Sequence, residues 1–313
     1  MKADTTWPSG QWSQEHLAAG EMHCHKITSV LQTLDSGFQR IEVVETEGYG
    51  RGLFLDGRIQ HIEHDEYIYS EAIVHPAALM LCNTLKTVLV VGGGPGGVIR
   101  EVLKHHSVSH VVQVDIDRQV IELCRSWFPH IAKGCYDDPR VELVVSDIRD
   151  FASSCANRFD LIVNDISEPM EGTPAEGLFG NSIIQALASL LSPSGIFVTW
   201  AGSVGPASFD LAVAINQSLS RVYTHQVGWL CHPQAYGTSW LTIGCSMEPL
   251  VHRRLSPREI DAWLSANVGG DLALYDGETD QHMFSLPKDV RRFLSQEARH
   301  GEAMLPTISH YRS

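Results

Sequence analysis

The chain has 313 residues, a formal net charge of −14 and 43% apolar residues. That length and apolar content allow one large core with an appendage, and the acidic balance argues against a nucleic-acid surface, which needs a basic stripe. Apolar stretches such as Thr87–Val91 and Leu161–Val163 are of strand length, far short of the ~20 residues of a membrane span.

In chain order, residues 1–25 read as an N-terminal tail. It has no apolar signal core, so a cytoplasmic protein is expected. His23 and His25 within it sit too close together for an ordinary metal site, and no metal is expected. The seven cysteines, 24, 82, 124, 135, 155, 231 and 245, are odd in number, scattered and free of a C-x-x-C pair, which predicts reduced thiols. Residues 26–84 read as a small antiparallel β domain with a linking helix. Four runs rich in β-branched and aromatic residues, at 29–36, 39–47, 50–57 and 58–63, alternate with Gly and Asp turn signals. Residues 65–80 then carry apolar side chains at helical spacing with carboxylates in the first turn.

From residue 85 to 313 the rhythm becomes strand, helix, strand. Strands are predicted at 87–93, 110–117, 141–147, 159–165 and 195–201, with helices between them. Such alternation predicts a mostly parallel Rossmann-like sheet with helices on both faces, an α/β fold. Trp127 and Phe128 are expected to pack a helix, and His105 and His106 to sit at the solvated C-terminal end of one.

The turn "GGGPGG" leaves the first of these strands and enters a helix. Gly92-x-Gly94-x-x-Gly97 fits a dinucleotide fingerprint, with backbone N–H groups aimed at a ligand and an acid, Asp115, ending the next strand. NAD, FAD and S-adenosylmethionine-type ligands all satisfy that much. Asp147 and Asp165 end two further strands, and ligands of an open parallel sheet bind over those carboxyl ends. Three acids on one rim favour a nucleoside ligand held at its ribose, its base and its reacting end, and an acidic cleft concentrates cations.

The segments 88–105, 111–123, 137–147, 159–179 and 274–290, preceded by 52–77, together resemble the polyamine aminopropyltransferases, the spermidine synthase family. The resemblance implies a class I methyltransferase-type fold behind the N-terminal β domain. It implies transfer of an aminopropyl group from decarboxylated S-adenosylmethionine to a di- or polyamine, release of methylthioadenosine, no further cofactor, and a homodimer or homotetramer. By motif position Asp115 matches the ribose acid, Asp147 the adenine acid and Asp165 the acid that positions and deprotonates the attacking amine. Glu168 stands where the family has a second acid facing the acceptor, and Gln60 and Tyr69 match residues that close over the donor. Residues 168–179, rich in Gly and Pro, suit a closing segment.

Four positions depart from the family. Pro95 replaces an acid that contacts the donor's aminopropyl end, Ser70 replaces Gln or His, and Ile148 and Ile166 follow the adenine and reacting acids. Two alternatives therefore stay open: a transferase that takes intact S-adenosylmethionine and moves its methyl or 3-amino-3-carboxypropyl group, and a non-catalytic nucleoside- or polyamine-binding protein. His232 and Tyr236 are both candidates for a late acceptor-site residue.

Overall fold

The computed structural model describes residues 10–82, 84–250 and 255–294. The N-terminal part is one antiparallel sheet: β1 (Gln11–Ala18), β2 (Glu21–Asp35), β3 (Arg40–Thr46), β4 (Gly50–Leu55) and β5 (Arg58–Ile62), in that spatial order. The sheet therefore begins at Gln11, inside the segment read as a tail. β1 pairs with β2 along most of its length, from Gln11 opposite Ile27 to Ala18 opposite Glu21. Its sequence, QWSQEHLA, has no apolar alternation, so the strand exists by pairing with β2 rather than by its own pattern. The β4–β5 turn uses two left-handed residues, Asp56 (φ 49°) and Gly57 (φ 79°), the backbone that matches the twist of a tight hairpin. A bulge between Leu53 and Phe54 follows, so Phe54 faces Ile59 and Leu53 faces His61.

α1 (Glu66–Met80) links the two sheets, as the sequence predicts. The second sheet has seven strands. β6 (Thr87–Gly92), β7 (His110–Asp115), β8 (Val141–Val145), β9 (Phe159–Asp165) and β10 (Leu191–Ser203) are parallel, and β11 (His225–Cys231) and β12 (Trp240–Ser246) complete it. The spatial order is β11-β12-β10-β9-β6-β7-β8, with β12 antiparallel to both neighbours. The intervening helices are α2 (Gly97–Leu103), α3 (Arg118–Trp127), α4 (Pro129–Ala132), α5 (Ile148–Ser154), α6 (Asn181–Ser189) and α7 (Asp210–Ser220). α8 (Pro257–Asn267), α9 (Gly277–Phe284) and α10 (Lys288–Leu294) follow.

The central strands are near-continuous apolar runs because helices cover both faces; Val88, Leu89, Val90, Leu161, Ile162 and Val163 are fully buried. Each such side chain contributes roughly 1.5–3 kcal/mol by leaving water. Phe128 is buried in the interface between α3 and the N-terminal sheet, and Trp127 packs beside it under the Arg51 guanidinium, 5.2 Å from its ring. The C-terminal segment is tied to α1 by buried Glu71, whose carboxylate accepts the N–H groups of Ala273, Leu274 and Tyr275 at 2.8, 2.8 and 2.9 Å.

His106 is exposed at the end of α2 as expected, but His105 is not: it is 1% exposed, and its Nε2 lies 3.0 Å from Nδ1 of buried His75. Burial first, then the neighbouring His75, pull its pKa down to about 3, so it is a neutral core side chain. α8 and its Trp263 cover the helix end that the sequence leaves open to solvent. Among the described residues no helix is long and apolar enough to cross a membrane, and no group of three or more His, Cys, Asp or Glu side chains is placed to hold a metal.

Candidate active site

A single cleft runs over the carboxyl ends of β8, β7, β6, β9 and β10 and continues under the N-terminal sheet. Asp147 and Asp115 line one end, Gly92–Pro95 the floor, and Tyr69 and Asp165 the middle. Glu168, Gln60, Arg58 and Glu15 line the far end, with Tyr236, Trp200 and Trp240 as the apolar wall.

The floor begins with Gly92 and Gly93, both at positive φ, 80° and 81°, a backbone that favours glycine. Gly92 (φ 80°) lies opposite Asp165 in the sheet, and a Cβ on it would stand 2.4 Å from the Asp165 carbonyl. Gly93 N–H donates to that carbonyl at 3.2 Å, which fixes the loop to the strand that carries Asp165. Gly94 accepts a hydrogen bond from the buried Tyr136 hydroxyl at its carbonyl. Gly97 does not line the cleft. A Cβ there would meet Ser70 Oγ at 2.5 Å and Glu66 Oε2 at 2.9 Å, so the third glycine of the fingerprint serves the close packing of α2 on α1.

At the Asp115–Asp147 end, Asp115 accepts the Asp117 N–H at 2.9 Å, and burial, set against that hydrogen bond, pushes its pKa up to about 6. Asp117 caps α3 and also accepts Ser36 Oγ and Gln39 Nε2, at 2.6 and 3.1 Å. The β2–β3 turn is thereby latched to this rim. Asp147 caps α5 through the Arg149 N–H at 2.8 Å, and the Arg149 guanidinium, 2.8 Å away, holds its carboxyl below the usual range. Asp147 is thus both a helix cap and a wall of the cleft.

In the middle, Tyr69 donates its hydroxyl to Asp165 Oδ1 at 2.6 Å. Burial raises Asp165 most, the Tyr69 hydrogen bond lowers it, and the charge of Asp115 raises it again; the result is about 7. Tyr69 itself is pushed well above the ordinary tyrosine range by burial and by Asp165, so it stays a donor. Trp200 Nε1 donates to the Ile166 carbonyl at 2.8 Å and holds the chain just after Asp165. Pro174, Ala175 and Leu178 of the segment 168–179 line the cleft, with Phe179 anchored 5.0 Å from the Trp200 ring.

At the far end Glu168, 8% exposed, accepts Arg58 Nε at 3.2 Å and Gln60 Nε2 at 3.1 Å. Tyr236 donates its hydroxyl to the Gln60 carbonyl at 3.0 Å and packs between Tyr69 and Trp240, with ring separations of 6.2 and 5.3 Å. Of the two late candidates, Tyr236 is in the cleft, whereas His232 lies outside it beside His282. Sequence reasoning missed Glu15, Arg58, Trp200 and Trp240. Arg58 had a signal: it lies two residues before Gln60 on one strand, and period two puts both on one face. Glu15 had none, because its strand carries no pattern.

Comparison with known proteins places the chain in a family. Residues 66–254 match the spermine/spermidine synthase domain, and residues 11–63 match the spermidine synthase tetramerisation domain. Polyamine aminopropyltransferase 2 of Hyperthermus butylicus is 34% identical over 286 residues, spanning 91% of this chain and 92% of that protein. The polyamine aminopropyltransferase of Synechococcus sp. JA-2-3B'a(2-13) is 33% identical over 292 residues, spanning 91% and 93%. A spermidine synthase crystallised with the transition-state analogue AdoDATO superposes with a TM-score of 0.82 at 26% identity, over 94% of this chain and 98% of the other. The spermidine synthase of Thermotoga maritima gives 0.80 at 26%, over 94% and 97%. With both domains matched across most of its length, the chain belongs to the spermine/spermidine synthase family, whose members are transferases.

Proposed function

We propose that this chain transfers an aminopropyl group from decarboxylated S-adenosylmethionine to a primary amine and releases methylthioadenosine. Asp147 and Asp115 bind the adenine and ribose, and Gly92–Gly94 let the backbone approach the donor closely. The observation that carries the reading is Asp165, held by Tyr69 at 2.6 Å, with a pKa of about 7, between the glycine floor and Glu168.

A primary alkylamine has a pKa near ~10.4, like lysine, and attacks only after losing a proton. A carboxylate poised near neutrality takes that proton and so frees the lone pair for attack. The amine lone pair attacks the carbon next to the sulfonium sulfur. The C–S bond breaks with its electron pair going to sulfur, and the new secondary nitrogen leaves as its ammonium while Asp165 keeps the proton taken earlier. The sulfonium is already activated, so the remaining work is alignment and exclusion of water, which residues 174–178 and the Trp200–Trp240 wall supply. The acceptor's remaining positive charge binds at the end lined by Glu168 and Glu15. The matched tetramerisation domain supports a homo-oligomer, a homodimer or homotetramer, which light scattering measures.

Pro95 favours a second reading. It lines the cleft and offers no carboxylate to a donor amine, so intact S-adenosylmethionine would meet less like-charge repulsion there. The test is calorimetric titration with the decarboxylated and the intact donor side by side, followed by detection of methylthioadenosine with an amine present. Preference for the decarboxylated donor with methylthioadenosine release supports aminopropyl transfer. Preference for the intact donor overturns it in favour of methyl or 3-amino-3-carboxypropyl transfer.

A further inference from the structure

The far end of the cleft contains a permanent cation where an amine acceptor is to bind. Arg58 enters from β5, is 12% exposed at its side chain, and contacts Glu168 Oε1 through both Nε and a terminal nitrogen at 3.2 Å. It also faces Glu15 on β1, which is 6% exposed and whose Oε1 is buried without a hydrogen-bond partner. The cleft thus offers Asp165 for the reacting nitrogen, then Glu168 paired with the guanidinium, with Glu15 close enough to feel the same positive charge.

This arrangement has a charge consequence. A guanidinium does not deprotonate in a protein, so it neutralises one carboxylate of this end at every working pH. That leaves Glu15, which burial, set against Arg58, pushes up to about 7, for one further ammonium of the acceptor, whose positive charge favours the ionised carboxylate. An acceptor with a third nitrogen extends past this point and brings a second cation against Arg58. A like charge at contact distance in a half-buried site is worth on the order of 10²–10³ in affinity.

Resting on the transferase reading above, we propose that Arg58 sets the length and charge of the acceptor: the site takes a diamine and rejects a longer polyamine or a guanidine-ended amine. Arg58 is a specificity-determining residue, distinct in role from Asp165. Gln60, two residues on in the same strand, bonds the other oxygen of Glu168. The carboxylate therefore stays oriented when the guanidinium is removed, and becomes available to a ligand ammonium.

The test compares wild type with Arg58→Met and Arg58→Lys, using 1,4-diaminobutane, spermidine and agmatine, by methylthioadenosine release and by calorimetric binding of each amine. Wild type is expected to favour diaminobutane over spermidine at least ~10²-fold in kcat/KM. Arg58→Met is expected to narrow that ratio at least ~10-fold, chiefly through a lower KM for spermidine and agmatine. Arg58→Lys, which keeps the charge, should retain the discrimination. Two results overturn the proposal: wild type using spermidine as well as diaminobutane, or Arg58→Met losing activity equally on all three, which would make Arg58 a mere support for Glu168. If wild type releases no methylthioadenosine with any amine, the transferase reading falls. The binding arm then decides Arg58 alone: selectively tighter spermidine binding by the Met variant upholds it, and an unchanged ranking overturns it.

Discussion

Asp165→Asn separates two consequences of one buried carboxylate. The isosteric amide still accepts the Tyr69 hydroxyl, so the cleft keeps its shape and donor affinity should change less than ~3-fold. Loss of the base should lower kcat/KM at pH 7 by ~10²–10⁴. The wild-type rate should rise with pH until Asp165 is ionised, near its value of about 7, and then flatten. The variant instead depends on amine already free in solution, so its residual rate should keep climbing towards the amine pKa near ~10.4. Stability should move the other way. Asp165 rises from 3.8 to about 7 on folding, so the folded state holds the proton more tightly than the unfolded one. That contribution is complete below about pH 4 and is lost as pH rises to about 7. At ~1.4 kcal/mol per unit the empty protein forfeits at most ~4 kcal/mol, reduced to ~1–3 by water entering the cleft. The Asn variant should therefore be more stable than wild type at pH 8 and equal to it at pH 4 in parallel urea titrations. Methylthioadenosine release across pH 5–10 gives the kinetic half. Near-normal turnover, or an unchanged limb at pH 7, would refute the role of Asp165; equal stability at pH 8 would refute its burial as the cause.

Other sites give sharp expectations. Gly97→Ala inserts a Cβ 2.5 Å from Ser70 Oγ and should cost ~1–3 kcal/mol of stability by overpacking. Ser70→Gly in the same chain should recover part of that loss in thermal melts. Glu71→Gln turns an N–H donor towards backbone N–H groups that now meet a carboxylate, and should cost ~2–3 kcal/mol by urea unfolding. Arg149→Ala frees Asp147 from its ion pair; because Asp147 is partly exposed the pair itself is worth under ~1 kcal/mol, and donor affinity should hold or tighten by calorimetry. A tenfold loss of donor affinity would show that Arg149, rather than Asp147, binds the nucleoside.

The sequence by itself determined the parts whose signals are local. Continuous apolar runs ending in Gly92, Asp115 and Asp165 mark parallel strands and their ligand-bearing ends, because a doubly covered strand must be apolar throughout and its rim acids stand out against that run. The glycine turn and Asp147 stand out at such strand ends, the linking helix shows in its helical spacing, and Glu168 is legible only through resemblance to the family. Tertiary structure alone decided what depends on meeting a distant partner. β1 is a strand because β2 supplies its hydrogen bonds, and only that pairing brings Glu15 into the cleft. His105 is a neutral core residue because α8 covers it, 158 residues away at Trp263. Gly97 belongs to helix packing because Ser70 and Glu66 lie against it. The far end of the cleft joins Arg58, Glu168 and Glu15 because three separate chain segments converge there, and no spacing within one segment encodes a convergence of three.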